Sequence, residues 1–190
     1  MPAKMITAAA AGLMLALTSG AMASAEMARA DKTVTVGGAP MSTNKTIVEN
    51  AAASKDHTTL VAAVKAAGLV ETLAGSGPFT VFAPTNAAFE KLPDGAVAGL
   101  LRPESKGALT GVLTYHVVPG RMTAQDLVAK VEAGGGKAML KTAQGEALTV
   151  YKQGSDLLVW DAKGGSAKVT IADVGQSNGV IHVIDKVLMP

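Results

Sequence analysis

Cysteine is absent from this 190-residue sequence, and its absence removes several classes of protein. Without cysteine there can be no disulfide framework, no zinc site with thiolate ligands and no cysteine nucleophile. A lipoprotein is excluded as well, because its lipid is carried on a cysteine. Hydrophobic residues make up 48% of the chain, so a disordered protein is not expected. A hydrophobic core must supply the stability, and about 150 residues can form one without covalent cross-links.

A strong excess of one charge is also lacking. The 17 basic and 15 acidic residues give a net charge of +2, and no long basic run is present. Proteins that bind nucleic acid usually carry a basic patch or stripe. Nucleic acid is therefore not an expected partner.

The patterns that mark common catalytic and metal sites are missing. No serine lies in a G-x-S-x-G sequence, and Ser76 belongs to a turn that precedes a strand. The three histidines show no ligand spacing such as H-x-x-x-H. We therefore expect no enzyme activity, no metal and no cofactor.

The first 25 residues have the pattern of a cleavable signal peptide. Lys4 is the only charged residue before Glu26, and the run Met5–Leu17 is almost wholly apolar. Small residues follow in the small-x-small arrangement of a cleavage site, and we predict cleavage near Ala25. The apolar run is shorter than the roughly 20 residues of a membrane-spanning helix, which disfavours an uncleaved anchor. No second long apolar run follows, so a soluble secreted or periplasmic protein is expected, without stable membrane insertion.

The sequence divides into three parts. Residues 1–25 are the predicted signal peptide, residues 26–43 a linker or loosely attached N-terminal arm of small and polar residues, and residues 44–190 one folded domain. A single domain agrees with the usual size of about 100–200 residues.

The first half of the domain is predicted to be mainly helical. Thr58 is predicted to cap a helix that Gly68 ends, and Thr123 to cap a later one. Between these helices, Phe79–Ala83 alternates and is rich in strand-forming residues, and Pro84 ends it. A helix with Leu109, Val112 and Leu113 on one face is predicted to follow and to end in residues 115–118.

The second half is predicted to consist of strands. Short strand-like runs separated by turn clusters predict an antiparallel meander over Ala138–Lys141, Ala147–Tyr151, Leu157–Trp160 and Lys168–Ile171. The last strand, Val180–Ile184, is apolar on both faces apart from His182, which predicts a central strand buried on both sides. The fold class is therefore α+β.

Two long segments and one dipeptide resemble a known family. Residues 79–89 (FTVFAPTNAAF) resemble the first homology segment of fasciclin (FAS1) domains, and residues 178–188 (NGVIHVIDKVL) resemble the second. Tyr115-His116 lies between them, as in the family. The resemblance covers about residues 44–190 and identifies the chain as a single-domain secreted bacterial type.

The resemblance implies a fold and a function. The fold would be an α+β wedge of two small β-sheets with a cluster of helices. Members are secreted or surface-anchored and serve in adhesion and recognition. In animal members the Tyr-His pair and an Asp-Ile pair take part in integrin binding. Tyr115 and His116 match the first pair, and Asp173-Val174 matches the second with valine in place of isoleucine. These four residues are the candidate partner-binding residues.

Other residues are assigned to structure. We expect His182 to bond across the core to the turn at Thr85-Asn86, because a buried ring nitrogen without a partner costs about 1–3 kcal/mol. His116 is either a pH-sensitive contact or a structural partner of a carboxylate, and His57 is expected to lie solvated in a polar loop. Trp160 and Tyr151 are expected to pack in the core, and an exposed Trp160 would instead suit a sugar platform or an interface anchor.

Three functions remain open. The first is an adhesion or recognition module, a monomer or weak oligomer that binds a cell-surface or matrix protein or glycan. The second is a periplasmic carrier of a small molecule or lipid, which requires an apolar pocket of about 300–1,000 Å³. The third is a structural envelope protein without a specific ligand.

Overall fold

The computed structural model describes residues 33–93 and 95–190. The predicted signal peptide, its cleavage site and residues 26–32 of the expected linker lie outside the described residues. The α-helices in this part of the chain are α1 (Ile47–Ala53), α2 (Thr58–Ala67), α3 (Val70–Ala74), α4 (Asn86–Glu90), α5 (Ala96–Leu100), α6 (Lys106–Tyr115) and α7 (Ala124–Ala133). The strands are β1 (Val34–Val36), β2 (Ala39–Met41), β3 (Phe79–Pro84), β4 (Val117–Pro119), β5 (Lys137–Lys141), β6 (Ala147–Gln153), β7 (Asp156–Trp160), β8 (Ser166–Gln176) and β9 (Gly179–Ile184).

The helix ends follow their local sequence. Thr123 caps α7 in a capping box with Asp126, as predicted. Gly68 ends α2 with φ of +74°, also as predicted. Thr58 does not cap α2 but is its first residue, because a short 3₁₀ turn over Lys55–His57 leads directly into the helix. Within the described ranges, no helix has the length and apolar character needed to cross a membrane.

The strands form a two-stranded and a seven-stranded sheet, which confirms the α+β class. The order in the larger sheet is β4-β3-β9-β8-β7-β6-β5. Strands β5 to β8 pair as an antiparallel meander, as predicted. Strand β9 lies between β3, its parallel partner, and β8, its antiparallel one. All six residues of β9 are buried, which confirms the prediction of a central strand covered on both faces.

Two elements differ from the sequence prediction. Residues 117–118, predicted to end a helix, belong to β4, which pairs with β3. Strand β8 continues past Ile171 to Gln176 through a region of shifted register that contains Asp173. Periodicity did not reveal this extension because the irregular pairing breaks the alternation of side chains.

Strands β3 and β9 lie between two hydrophobic clusters. On one side, Val81 and Val183 pack among the helices, chiefly with residues of α2 and α6. On the other side, Phe82 and Ile184 pack with Leu148 and the inner face of the meander. The central strands therefore contribute to both halves of the core.

Part of the expected linker is packed. Strands β1 and β2 form a hairpin within residues 34–41. Its Val36 and Met41 are 2% and 1% exposed and belong to the helical cluster. Residues 33–43 are therefore attached to the domain through buried side chains.

The backbones of β3 and β9 are in such close contact that a side chain on Gly179 should destabilise the protein. A Cβ atom on Gly179 would clash with the carbonyl oxygen of Phe79. We expect Gly179→Ala to lower the free energy of unfolding by roughly 1–3 kcal/mol, the usual cost of overpacking, in urea titrations.

Gly107 in α6 provides the control, because a Cβ there would have no neighbour within 4 Å. Gly107→Ala should raise the stability by about 0.5–1 kcal/mol, since alanine is the better helix former. Equal effects of the two substitutions would contradict the proposed clash.

Candidate functional site

Tyr115 and His116, expected at a binding surface, are buried. Tyr115 is 0% exposed, and its hydroxyl donates to the Ala147 carbonyl at 3.3 Å and accepts from the Ala162 N–H at 3.0 Å. His116 is 3% exposed and contacts Val112 and Leu188.

The bonds of His116 fix its tautomer. Its Nδ1 lies 2.7 Å from the Val112 carbonyl oxygen and donates to it. Its Nε2 accepts from the Leu188 N–H at 3.0 Å. The Tyr-His pair therefore ties the end of α6 to the meander and to the C-terminal segment.

Asp173 and Val174 lie in the irregular part of β8 and differ in exposure. Val174 is fully buried, whereas Asp173 is exposed. The Asp173 backbone is left-handed, with φ of +58°, and its Oδ1 accepts from the Ala124 N–H at 2.6 Å. The carboxylate therefore adds a second cap to the start of α7, where a negative charge is favourable.

His182 bonds to partners other than those expected. Its Nδ1 accepts from the Asp173 N–H at 3.3 Å, and its Nε2 donates to the Met122 carbonyl at 2.9 Å. It does not reach the turn at Thr85-Asn86, because its strand lies next to the irregular part of β8 and the ring meets Asp173 there. The ring instead ties β8 to the loop before α7.

The turn at Thr85-Asn86 makes its own connections. The Thr85 hydroxyl caps α4, and the Thr85 N–H donates to the Ile184 carbonyl at 3.3 Å. The side chain of Asn86 accepts from the Thr59 N–H and donates to the Lys55 carbonyl. The first homology segment is thus linked to the last strand through the backbone of Thr85.

His57 is buried, although its polar sequence context predicted a solvated loop. It is 1% exposed, and its Nδ1 lies 3.0 Å from the Ser54 hydroxyl. Its Nε2 makes no hydrogen bond of normal geometry within the described residues. Burial lowers the pKa of His57, against opposing effects of the Asp56 carboxylate and the Ala83 carbonyl. In residues 33–93 and 95–190, no three His, Asp or Glu side chains converge as a metal site would require.

An exposed apolar surface lies on the outer face of the meander. Register pairs Met139 with Thr149 and Thr149 with Trp160, so these side chains form one row across three strands. Tyr151 and Leu158, opposite each other, form the next row on the same face. We call these five residues the Trp160 face.

The Trp160 face presents large side chains to solvent. Met139 is 71% exposed and Trp160 is 41% exposed. The ring centroids of Tyr151 and Trp160 lie 5.4 Å apart at an angle of 57°. The expectation that Trp160 lies in the core is therefore wrong. The cause is that every residue of Leu157–Trp160 is apolar, so the strand's sequence does not mark its inner face.

Lysines surround this face. Lys137 and Lys141 lie two residues before and after Met139, on the same side of β5, and neither has a carboxylate partner in the described part of the chain. Lys168, opposite Leu158, forms a 2.7 Å ion pair with Asp156. Three lysines and one aspartate leave the face with an excess of positive charge.

The comparisons with known proteins agree with this architecture. The family model described as Fasciclin domain matches residues 55–190. Protein sll1483 of Synechocystis sp. is 49% identical over 169 residues, which cover 89% of this chain and 87% of that protein. Immunogenic protein MPB70 of Mycobacterium bovis is 41% identical over 138 residues, 70% of this chain and 63% of that protein.

A solved structure shares the fold. The FAS1 domain pair from the insect cell adhesion molecule Fasciclin I matches with a TM-score of 0.69 at 21% identity, over 77% of this chain and 51% of that one. The chain belongs to the fasciclin domain family.

The buried histidines predict a loss of stability in mild acid. Burial lowers the pKa of His182 and lowers that of His116 to about 4, against the opposing Val112 carbonyl and Asp161 charge. Because the unfolded chain takes up protons first, near pH 6.5, the free energy of unfolding should fall as the pH drops from about 6.5 towards 4. His116 alone accounts for about 3 kcal/mol over that window.

Urea titrations at several pH values between 7.5 and 4.5 measure this loss of unfolding free energy. NMR of the imidazole rings shows which histidine is responsible for it. The His116 ring should remain neutral at pH 6 in the folded protein, and the His182 ring should titrate at a lower pH than a histidine of the unfolded chain. A folded-state ring that titrates near pH 6.5 would contradict the explanation for that histidine.

The second cap on α7 predicts a difference between two substitutions of Asp173. Asp173→Ala removes the acceptor and places alanine in a left-handed conformation, so the stability should fall by roughly 1–3 kcal/mol. Asp173→Asn keeps an acceptor oxygen and tolerates this conformation, and should cost about 0.5 kcal/mol or less. Thermal and urea unfolding compare the two, and equal losses would argue against the cap.

Proposed function

We propose that this protein is an extracytoplasmic recognition module that binds an acidic glycan of a cell surface or matrix through the Trp160 face. Export would use the predicted signal peptide, with cleavage near Ala25 and release to the periplasm or beyond. No catalytic step is proposed. The observation that carries the proposal is the exposure of Met139 and Trp160 in one row on β5 and β7, the strands on either side of β6. One solved structure that shares the fold is described as a cell adhesion molecule.

Exposed apolar side chains that adjoin one another commonly mark a binding surface. Trp160 offers a ring to a partner, and the negative face of an aromatic ring attracts the weakly positive C–H groups of a sugar. Tyr151 contacts Trp160 and extends the aromatic surface along the sheet.

The lysines favour an acidic glycan over a protein. Lysine is depleted in protein–protein interfaces, where aromatic residues and methionine are enriched. On this face Lys137 and Lys141 lie directly beside Met139 and lack carboxylate partners among the described residues. Carboxylates on a sugar chain would supply those partners while a sugar ring stacks on Trp160.

Of the four residues that the family resemblance suggested, only Asp173 is exposed. We retain it as a secondary candidate contact. The other three are buried, so substituting them would affect binding only by destabilising the fold: Tyr115, His116 and Val174.

The carrier function receives less support. Two apolar pockets among the helices have volumes of about 30 and 10 Å³. A site for a small molecule usually occupies about 300–1,000 Å³. These pockets are too small for a lipid or a drug-sized ligand.

Tryptophan fluorescence tests the proposal, because Trp160 is the only tryptophan in the chain. Titration of the purified protein with polygalacturonate should change the emission in a saturable way that weakens as salt rises. Lys137→Gln/Lys141→Gln should weaken binding roughly tenfold, about 1.4 kcal/mol, and Met139→Ser should also weaken it. Dextran, a neutral glycan, should have little effect.

Lys65→Gln/Lys106→Gln is the matched control, because both lysines are exposed on helices and the net charge changes equally. If both double variants weaken polygalacturonate binding equally, the effect depends on net charge alone, and the Trp160 face is not the binding site. The protein could fail to respond to polygalacturonate and yet capture a surface protein in a manner that requires Trp160. That result would show that the partner is a protein and not a glycan.

A further inference from the structure

Arg121 lies between two surface clefts that are separate from the Trp160 face. Its side chain lines a cleft of about 300 Å³ beside Ser76 and Ser177, and a second of about 270 Å³ beside Gln125 and Asp173. The guanidinium lies against the backbone at Gly175, with Nη2 3.8 Å from the position that a Cβ there would occupy. Within residues 33–93 and 95–190 it forms no ion pair.

The wall of the first cleft is held rigidly. The Asn178 side chain donates to the carbonyls of Leu73 and Gly75 at 2.8 and 3.0 Å, and accepts from the Ile47 N–H at 3.1 Å. A Cβ on Gly77 would clash with the carbonyl oxygen of Asn178, so the two loops are in direct backbone contact. A ligand in this cleft would therefore meet a preorganised wall.

The polar groups that remain available in the first cleft are mainly donors. The guanidinium has five N–H donors and no acceptor. The hydroxyls of Ser76 and Ser177 have no partner in the described part of the chain and can donate as well. Both N–H groups of the Asn178 side chain are already bonded, and no carboxylate lines this cleft. The complementary ligand is an acceptor with a negative charge.

Asp173, in the second cleft, does not neutralise Arg121. Its Oδ1 is held by the Ala124 N–H, and no oxygen of this carboxylate comes within 4 Å of the guanidinium. The planar guanidinium of Arg121 is thus free to donate two parallel hydrogen bonds to one ligand. Carboxylate and phosphate groups have pairs of oxygens with the spacing to accept them.

We propose that Arg121, with Ser76 and Ser177, forms a binding site for an oxyanion, namely a carboxylate, phosphate or sulfate group. The site is independent of the Trp160 face and shares no residue with it.

NMR titration of the ¹⁵N-labelled protein tests the site, with sodium phosphate, sodium sulfate and sodium acetate as separate probes at constant ionic strength. At least one probe should shift the backbone amides of Ser76, Arg121 and Ser177 in a saturable manner. Arg121→Gln should weaken that binding at least tenfold. Arg121→Lys, which keeps the charge but loses the planar guanidinium, should weaken it to an intermediate extent.

Arg102→Gln is the matched control, since Arg102 is also exposed and the same charge is removed. It should leave the titration unchanged. No saturable shift at the cleft with any probe, or equal binding by Arg121→Gln, would overturn the site. Because Arg121 makes no ion pair, its removal should leave the melting temperature unchanged, and the amide spectrum confirms that the variant is folded.

Flotation with vesicles then identifies the source of the oxyanion. Binding to phosphatidylglycerol vesicles that requires Arg121, with none to phosphatidylcholine vesicles, would assign a lipid headgroup. A positive titration without flotation would assign a soluble anion or the anionic group of a polymer.

Discussion

The parallel pairing of β3 with β9 is the interaction on which the rest of the structure depends. It joins residues about 100 positions apart, with Phe79 opposite Gly179 and Pro84 opposite Ile184. Closing so long a loop costs conformational entropy, and the burial of side chains on both faces of β9 offsets that cost. Helices cover one face of the pair and the meander covers the other. Each half of the domain thus requires the same two strands.

Polar side chains that are buried or partly buried connect the two halves. His116 joins α6 to the C-terminal segment, and His182 joins β8 to the loop before α7. Asn178 connects three separate parts of the backbone at the start of β9. These positions coincide with the segments that define the family, so in this chain the family pattern chiefly records how the fold is held together. Partner recognition would then depend on exposed residues outside those segments.

The sequence predicted the fold well and the candidate site poorly. Hydrophobic alternation and turn residues located the meander and the central strand because their side chains follow a simple period. The same reasoning could have placed His116 in the core, since it continues the stripe of Leu109, Val112 and Leu113 on α6. Trp160 was different, because both faces of its strand are apolar and only packing decides which is exposed. The bonds of His182 depend on the irregular register of β8, which no local pattern indicates.

The hairpin near the N-terminus limits how the chain can be trimmed. Val36 and Met41 are core residues, and they lie only a short distance beyond the expected cleavage site near Ala25. A protease that cuts between residues 25 and 33 leaves the described fold complete. One that cuts beyond residue 36 removes a buried side chain from the helical cluster. If the predicted cleavage near Ala25 takes place, the position of the hairpin sets the downstream limit at which the chain can be cut without loss of a core residue.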